Sequence, residues 1–248
     1  MTPLMRSVSK KQVNSVAWKP AVFLLAFTVC RLGSVHASTC YGTPAQGRLA
    51  DGTRLPTSGN NFVAYSRMGA DLGRTYVHSL VRQVVLDAYA GLAKTTPGKV
   101  YVYGETGLAH GGAISPHRSH QNGLSVDFMV PVLNDGNQSV PLPSSPSNKF
   151  GYGLEFDNQG RLPGFRIDFE AMADHLYQIA MAARRHGVTI ERVIFDPPLM
   201  EKLFNSGPRR AELRYLPFMK AQPWVRHDEH YHIDFGVPCR PFREYRPS

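Results

Sequence analysis

Three of the ten histidines in the chain lie within six positions near its C-terminus, at His227, His230 and His232. From residue 230 to residue 235, polar and apolar side chains alternate, which is the period-two pattern of a half-buried strand. His230, His232 and Asp234 therefore share one face, while the other face holds Tyr231, Ile233 and Phe235. Two imidazoles about 6.6 Å apart on one strand face can approach a common centre. One can bind a metal while the other stands beside it.

A second cluster, PHRSHQNGLSVDFMV, contains His117, His120 and Asp127. Asn122-Gly123 is a turn signal and VDFMV favours a strand, so we expect a loop or hairpin that folds Asp127 back toward His120. Two neutral imidazoles and one carboxylate, with one coordination position open, form the ligand set of a catalytic zinc. The two clusters together contain enough ligands for such a site.

Helices and strands must position these residues. Apolar spacing predicts an amphipathic helix within 76–98, and Asp168 can cap a second helix over 168–187. The β-branched and aromatic stretches 99–106 and 126–132 predict strands, and the C-terminal histidine segment is another. No regular βαβ repeat is present, so we predict an α+β fold with a central antiparallel sheet and flanking helices.

Two long stretches show weak periodicity. Residues 38–75 are polar and rich in Gly, Thr and Ser, which predicts an irregular segment. Residues 131–164 are dense in Pro, Ser, Asn and Gly, and we expect them to form an excursion near the site that carries a small hairpin.

The first 37 residues have the composition of a secretory signal: a basic start, the apolar run AVFLLAFTVC, and small residues around Ala37. We predict cleavage after Ala37, which leaves one domain over 38–248. A permanent bilayer span needs about 20 residues, so we expect no stable membrane span after cleavage. Loss of this segment lowers the formal net charge from +9 to +4. That charge disfavours nucleic acid and is compatible with an anionic cell wall as partner.

The cysteines indicate the compartment as well. Cys30 lies in the signal, while Cys40 and Cys239 remain at the two ends of the exported chain. In an oxidising compartment such a pair favours a disulfide, which the chain-entropy model values at about 4–5 kcal/mol for so long a loop. The alternative is two unrelated buried thiols.

SHQNGLSVDFMV, followed distally by QPWVRHDEHYHIDFG, resembles the penicillin-insensitive murein endopeptidases. These belong to the zinc peptidase superfamily that includes lysostaphin, D-alanyl-D-alanine carboxypeptidases and the hedgehog domain. The superfamily pattern is His-x6-Asp followed by His-x-His, and the endopeptidase branch adds a histidine three residues before each motif. The chain has all of these residues, at His117, His120, Asp127, His227, His230 and His232.

The resemblance implies Zn²⁺ held by His120, Asp127 and His232, with His117 as an auxiliary ligand. It implies that His230 is the general acid or base and that His227 supports it. The implied substrate is the D-Ala to meso-diaminopimelate cross-link of peptidoglycan, cut in the periplasm. A metal mechanism forms no serine acyl-enzyme, so insensitivity to β-lactams follows.

Glu229 leaves an alternative open, because the carboxypeptidase and dipeptidase branch keeps a glutamate three residues before the second histidine of its pair, which is His232 here. Strand alternation turns Glu229 away from the face of His230 and His232, which favours His230 as the base. A D,D-carboxypeptidase that uses Glu229 is therefore the second hypothesis. A zinc-containing wall-binding module without catalysis is the third.

Overall fold

The structure is a computed structural model that describes residues 37–247. The predicted signal, 1–37, lies outside the described residues except for Ala37, so its cleavage site stays a prediction. Within the described part, no helix combines the length and apolar character needed to cross a membrane.

The helices and strands alternate irregularly along the described chain. The strands are β1 (Thr39–Thr43), β2 (Gln46–Ala50), β3 (Thr53–Arg54), β4 (Phe62–Ala64), β5 (Tyr76–Val77), β6 (Tyr101–Tyr103), β7 (Ser125–Met129), β8 (Val132–Asn134), β9 (Ser139–Val140), β10 (Arg161–Leu162), β11 (Phe165–Ile167), β12 (Thr189–Ile194) and β13 (His230–Gly236). The α-helices are α1 (Arg67–Asp71), α2 (Ser79–Thr95), α3 (Phe169–Arg185), α4 (Pro197–Asn205) and α5 (Arg210–Leu213). Two 3₁₀ turns cover Pro146–Gly151 and Phe242–Glu244.

A five-stranded sheet in the order β12-β13-β7-β6-β4 forms the centre of the domain. Its strand pairs are antiparallel except for β4 and β6, which are parallel. The predicted α+β class with a mainly antiparallel central sheet is therefore confirmed. This sheet fixes the geometry of the site, because β7 and β13, which carry the two predicted motifs, are direct neighbours.

Helices α2 and α3 pack against each other and cover one face of the central sheet. Both predicted helices are confirmed, and Asp168 caps α3 by accepting a hydrogen bond from the Ala171 N–H at 3.1 Å. From α3, His175 contacts Phe128 of β7 and Tyr231 of β13, with ring centroids 4.7 and 5.8 Å away. The aromatic side chains of both strands therefore face the helices, and by strand alternation the intervening polar residues face the opposite side.

The two stretches with weak periodicity are more ordered than the sequence predicts. The segment 38–75 is not irregular: it contains the β1–β2 hairpin, β3, β4 and α1. The segment 131–164 provides most of a four-stranded sheet in the order β10-β11-β8-β9, instead of one small hairpin. Most of these strands are two or three residues long, which is too short for an alternating pattern to stand out in sequence.

The predicted disulfide between Cys40 and Cys239 is present, with Cα atoms 4.8 Å apart and 199 positions between the two residues in sequence. It joins β1 to the segment that follows β13. Backbone hydrogen bonds from Arg240 to Cys40 and from Gly42 to Arg240 continue this contact. The bridge thus fixes the chain end beyond the histidine strand to the start of the domain.

Candidate metal centre

The register of β7 against β13 brings the two motifs together. His232 lies directly opposite Asp127 in this antiparallel pair, and His232 Nδ1 is 2.8 Å from Asp127 Oδ1. Both side chains are buried and face away from the helices. The meeting of two segments that are distant in sequence, on which the metal hypothesis depends, is present in the fold.

His120 approaches the same carboxylate from the loop that precedes β7. Its backbone has a φ of 68°, in the left-handed region that residues other than glycine rarely adopt and that often marks functional sites. Its Nε2 lies 3.3 Å from Asp127 Oδ1 but makes no hydrogen bond within the part of the chain that the structure describes. A fully buried ring nitrogen without a hydrogen bond is unusual and calls for a missing partner.

Each of the three side chains is anchored by the atom that points away from their meeting point. His120 donates its Nδ1–H to the carbonyl of Thr106 at 3.1 Å, which leaves Nε2 with a free lone pair. Asp127 Oδ2 accepts the Tyr152 hydroxyl at 2.9 Å, and His232 Nε2 lies 2.8 Å from Asp234 Oδ1. The atoms that face the meeting point, where a shared cation would bind, are therefore His120 Nε2, Asp127 Oδ1 and His232 Nδ1. Such outer partners are typical of metal-ligating histidines, so these residues fit a divalent cation.

Burial and charge set the protonation of these groups. Burial lowers the pKa of His120, which keeps the imidazole neutral. Burial alone would raise the pKa of Asp127, but its contacts with His120, His230 and His232 hold that pKa well below its ordinary value. Burial would lower the pKa of His232, but the carboxylates of Asp234 and Asp127 outweigh it and raise the pKa to about 9. The centre thus combines a neutral imidazole with a carboxylate that stays ionised.

His117 lies at the rim of the same centre. Its side chain is 16 % exposed, its Nδ1 is 3.8 Å from Asp127 Oδ2, and its Nε2 is 2.8 Å from Glu105 Oε2. Ligand atoms of His117, His120 and Asp127 lie within 4.8 Å of one another, a spacing that a metal ion can bridge. The predicted auxiliary residue is therefore adjacent to the three central ones.

Glu105 is itself held firmly behind His117. It accepts two hydrogen bonds from Arg74, at 2.6 and 2.7 Å, and one from the Tyr65 hydroxyl at 2.8 Å. Burial would raise its pKa, but the hydrogen bonds from His117 and Arg74 lower it to about 2. Glu105 is thus an ionised anchor for the His117 ring.

His230 stands beside the centre on the same strand face. Its Nε2 is 3.9 Å from Asp127 Oδ2, and its Nδ1 is 2.8 Å from Glu229 Oε1. Burial would lower its pKa, but the carboxylates of Glu229 and Asp127 raise it. The His227 ring packs against it with centroids 4.6 Å apart, and burial lowers the pKa of His227 to about 4. All the predicted histidines of the C-terminal cluster are therefore close together.

Glu229 departs from the sequence-based expectation. Strand alternation would turn it away from His230, yet its buried carboxylate lies against the His230 ring. The reason is that β13 begins at His230, so the alternation does not extend back to Glu229. Glu229 binds the outer nitrogen of His230, and so it lies behind His230 as seen from Asp127.

A comparison with known families shows to which family the protein with this centre belongs. The family model described as penicillin-insensitive murein endopeptidase matches residues 40–241, which is most of the chain. The chain belongs to the penicillin-insensitive murein endopeptidase family. It is therefore a metallopeptidase that acts on murein, as the resemblance implied. Among curated proteins, none matches the chain at a significant level.

The centre of this murein endopeptidase also includes residues that the sequence motifs did not identify. Tyr152 comes from the excursion 131–164, and its hydroxyl accepts the Glu105 N–H at 2.8 Å besides donating to Asp127. A Cβ added to Gly104 would lie 2.5 Å from the Tyr152 hydroxyl and 2.9 Å from Asp127 Cβ. No spacing in the sequence indicated that Tyr152 belongs to the site.

Proposed function

We propose that the chain is an exported zinc endopeptidase that hydrolyses the D-Ala to meso-diaminopimelate cross-link of peptidoglycan. The observation that carries this proposal is the convergence of His120 Nε2, Asp127 Oδ1 and His232 Nδ1 beside the His230 ring. The family assignment supports a cut within murein peptides. The disulfide, together with a murein substrate, supports export to the periplasm as one domain over 38–248 after removal of 1–37.

His120, Asp127 and His232 would hold the zinc, with His117 as an auxiliary ligand. Two imidazoles and one carboxylate form a donor set that zinc accepts in catalytic sites. When bound, zinc acts as a Lewis acid toward the scissile carbonyl and makes water acidic enough to attack near neutral pH. Asp127 stays ionised and His120 stays neutral, so neither side chain has to lose a proton to bind a cation.

His230 would move the proton in this reaction. Its Nδ1 is fixed by Glu229, so its Nε2 is the atom turned toward Asp127 and the substrate side. As water adds to the amide carbonyl carbon, His230 Nε2 takes up the proton that the water loses, and it delivers this proton to the departing amine as the C–N bond breaks. A carboxylate on the outer nitrogen of a histidine keeps the ring in the correct tautomer and stabilises its charged form, as in other acid–base pairs.

His227 would support His230 without exchanging protons itself. With a pKa of about 4 it stays neutral near pH 7, and its Nδ1 is 2.8 Å from the Val225 carbonyl. Its ring therefore fixes one face of the His230 ring and adds no charge. This assigns the acid or base role to His230 and a positioning role to His227.

Digestion of purified sacculi tests the proposal. The purified protein is expected to convert cross-linked muropeptide dimers into monomers with a free diaminopimelate amine, as seen by liquid chromatography and mass spectrometry. EDTA is expected to stop the reaction, zinc to restore it, and penicillin to leave it unchanged. Dimers that stay intact while zinc is bound would contradict the proposal.

The D,D-carboxypeptidase alternative predicts different products and different variants. It releases free D-alanine from a pentapeptide, loses activity in Glu229→Gln and tolerates His230→Ala. The 2.8 Å contact between Glu229 and the outer nitrogen of His230 favours the endopeptidase assignment, in which His230→Ala abolishes cleavage. In that case Glu229→Gln lowers the rate but leaves measurable cleavage, because the glutamine oxygen still accepts the Nδ1–H.

A further inference from the structure

A row of three polar side chains crosses the central sheet next to the metal centre. In the register of the strands, Asp234 of β13 lies directly opposite Ser125 of β7 on one side and Arg192 of β12 on the other. The neighbouring row contains Asp127 opposite His232. Because side chains two positions apart on a strand share a face, the outer row lies on the same face as the metal centre.

Asp234 is locked by contacts on both of its oxygens. Oδ1 accepts the Ser125 hydroxyl at 2.6 Å and lies 2.8 Å from His232 Nε2. Oδ2 accepts two hydrogen bonds from Arg192, at 2.9 and 2.5 Å. The Asp234 side chain is 5 % exposed, whereas that of Arg192 is 39 % exposed and borders an open groove. A buried carboxylate with this many charged and hydroxyl donors has one orientation and stays ionised.

We propose that Asp234 is a positioning residue for the metal centre, and that Arg192 is the support that fixes its carboxylate. By accepting Nε2–H, Asp234 places the other nitrogen of His232, Nδ1, toward Asp127 Oδ1. Without this acceptor, the His232 ring is free to rotate or to adopt the other tautomer, and Nδ1 is no longer held as a ligand. Outer carboxylates of this kind change metal affinity by about 10–100-fold. This inference rests on the proposed zinc site.

Zinc affinity and the absorption spectrum of bound Co²⁺ test the inference in the purified full chain. Asp234→Asn keeps the size of the side chain but has one acceptor oxygen in place of two, so its NH₂ group must face the donors of either His232 or Arg192. We expect the zinc dissociation constant to rise by about tenfold or more. The Co²⁺ bands are expected to shift, because the geometry at His232 changes. Arg192→Met should raise the dissociation constant by a smaller factor, since the carboxylate remains but loses its support.

Asp168→Asn is the matched control. Asp168 is also a buried aspartate paired with a basic side chain, at 2.5 Å from Lys99, but it caps α3 on the helix layer. This variant is expected to bind zinc with wild-type affinity and an unchanged Co²⁺ spectrum. If Asp234 only stabilised the sheet, its variant would melt at a lower temperature while its spectrum stayed like that of the wild type.

The outcomes separate this inference from the proposed function. If wild-type protein binds no zinc, the proposed zinc site is wrong. If the wild type binds zinc and Asp234→Asn binds it equally, with the same Co²⁺ spectrum, the positioning role of Asp234 is overturned. If Asp234→Asn does not fold, Arg192→Met decides, because Arg192 lies at a solvent-exposed edge: unchanged affinity and spectrum in that variant overturn the inference.

Discussion

His175 and His232 are both buried, but they lie on opposite faces of the same sheet and have opposite chemistry. His175 packs among the rings of Tyr89, Phe128 and Tyr231, and burial lowers its pKa to about 3. His232 has a carboxylate at each ring nitrogen, and its pKa rises to about 9. The comparison shows that burial alone keeps a histidine neutral, whereas a carboxylate at each ring nitrogen holds a second proton on it, which has to leave before that nitrogen can bind a cation.

The difference follows from the alternation of one strand. Tyr231, which donates or accepts a 2.7 Å hydrogen bond with His175, stands between His230 and His232 in sequence. A shift of one residue in the β7–β13 register would exchange the two faces and place the polar side chains in the core. The site therefore depends on the register that the apolar residues of the other face enforce.

The largest expected effect is on zinc affinity, when the buried Nε2 of His120 is removed from the metal centre. His120→Asn keeps a residue type that tolerates the left-handed backbone, so the loop should still fold. It removes the imidazole at the centre, and we expect zinc affinity to fall by more than about 100-fold, beyond the range of outer-partner variants. Metal analysis after dialysis measures this loss. His110→Asn, at an exposed position, serves as the control, and a full zinc content in His120→Asn would exclude His120 as a ligand.

The next largest effect is expected from a substitution that tests how closely the side chains around Asp127 are packed. Gly104→Ala places a methyl group 2.5 Å from the Tyr152 hydroxyl and 2.9 Å from Asp127 Cβ. We expect a loss of about 2 kcal/mol in the free energy of unfolding, the usual cost of overpacking, together with reduced cleavage of murein dimers. Urea unfolding measures the first effect. Gly136→Ala, whose nearest contact would be 3.3 Å away, should match the wild type, and equal stability of both variants would contradict the packing argument.

On the helix side of the sheet, His175 predicts that the free energy of unfolding depends on pH. The folded-state pKa of His175, about 3, lies below the unfolded value of about 6.5. The unfolded chain therefore takes up a proton first as the pH falls, so the stability contribution is complete above about pH 6.5 and disappears toward pH 3. Within this window we expect His175 to account for a slope of about 1.4 kcal/mol per pH unit.

His175→Phe isolates this slope. Phenylalanine fits an aromatic environment and does not titrate, so the free energy of unfolding of the variant should depend less on pH between 4 and 6. Urea unfolding of wild type and variant at several pH values gives the two slopes. Zinc content should be the same in both proteins, because His175 lies on the helix side of the sheet. Parallel slopes would show that His175 is protonated in the folded state.

The two faces also differ in how far the sequence predicts them. The period of two in 230–235 correctly assigned every side chain of that strand to its face, because hydrogen-bonded sheet geometry makes alternation a local property. The pairing of Asp127 with His232 followed from the motifs of the family, since sheet register is not encoded locally. Alternation did not predict the position of Glu229, one residue before the strand begins.

Tyr152 shows why the rest of the site was not predictable. It follows a 3₁₀ turn at Pro146–Gly151, in a segment where Lys149 and Phe150 have positive φ values of 52° and 57°. Such a backbone has no repeating period, so the direction of a side chain depends on tertiary contacts that sequence spacing does not reveal. The residues that β7 and β13 contribute to the centre were thus predictable from the sequence, whereas Tyr152 was not.

Tyr152→Phe gives the smallest expected effect and the finest test of the polar face. The variant removes one hydroxyl, which donates to Asp127 Oδ2 and accepts the Glu105 N–H, and leaves the ring that packs 5.0 Å from the His230 ring. A hydrogen bond to a charged group contributes at least about 1.5 kcal/mol, so we expect roughly a tenfold loss of zinc affinity or of cleavage rate. Tyr177→Phe on α3 is the matched control, because Tyr177 contacts Arg209 and not the centre. Tyr152 orients Asp127 only if the loss appears in its own variant and is absent from the control. Equal zinc affinity and cleavage in both variants would mean that Asp127 is held by the histidines and the β7–β13 register alone.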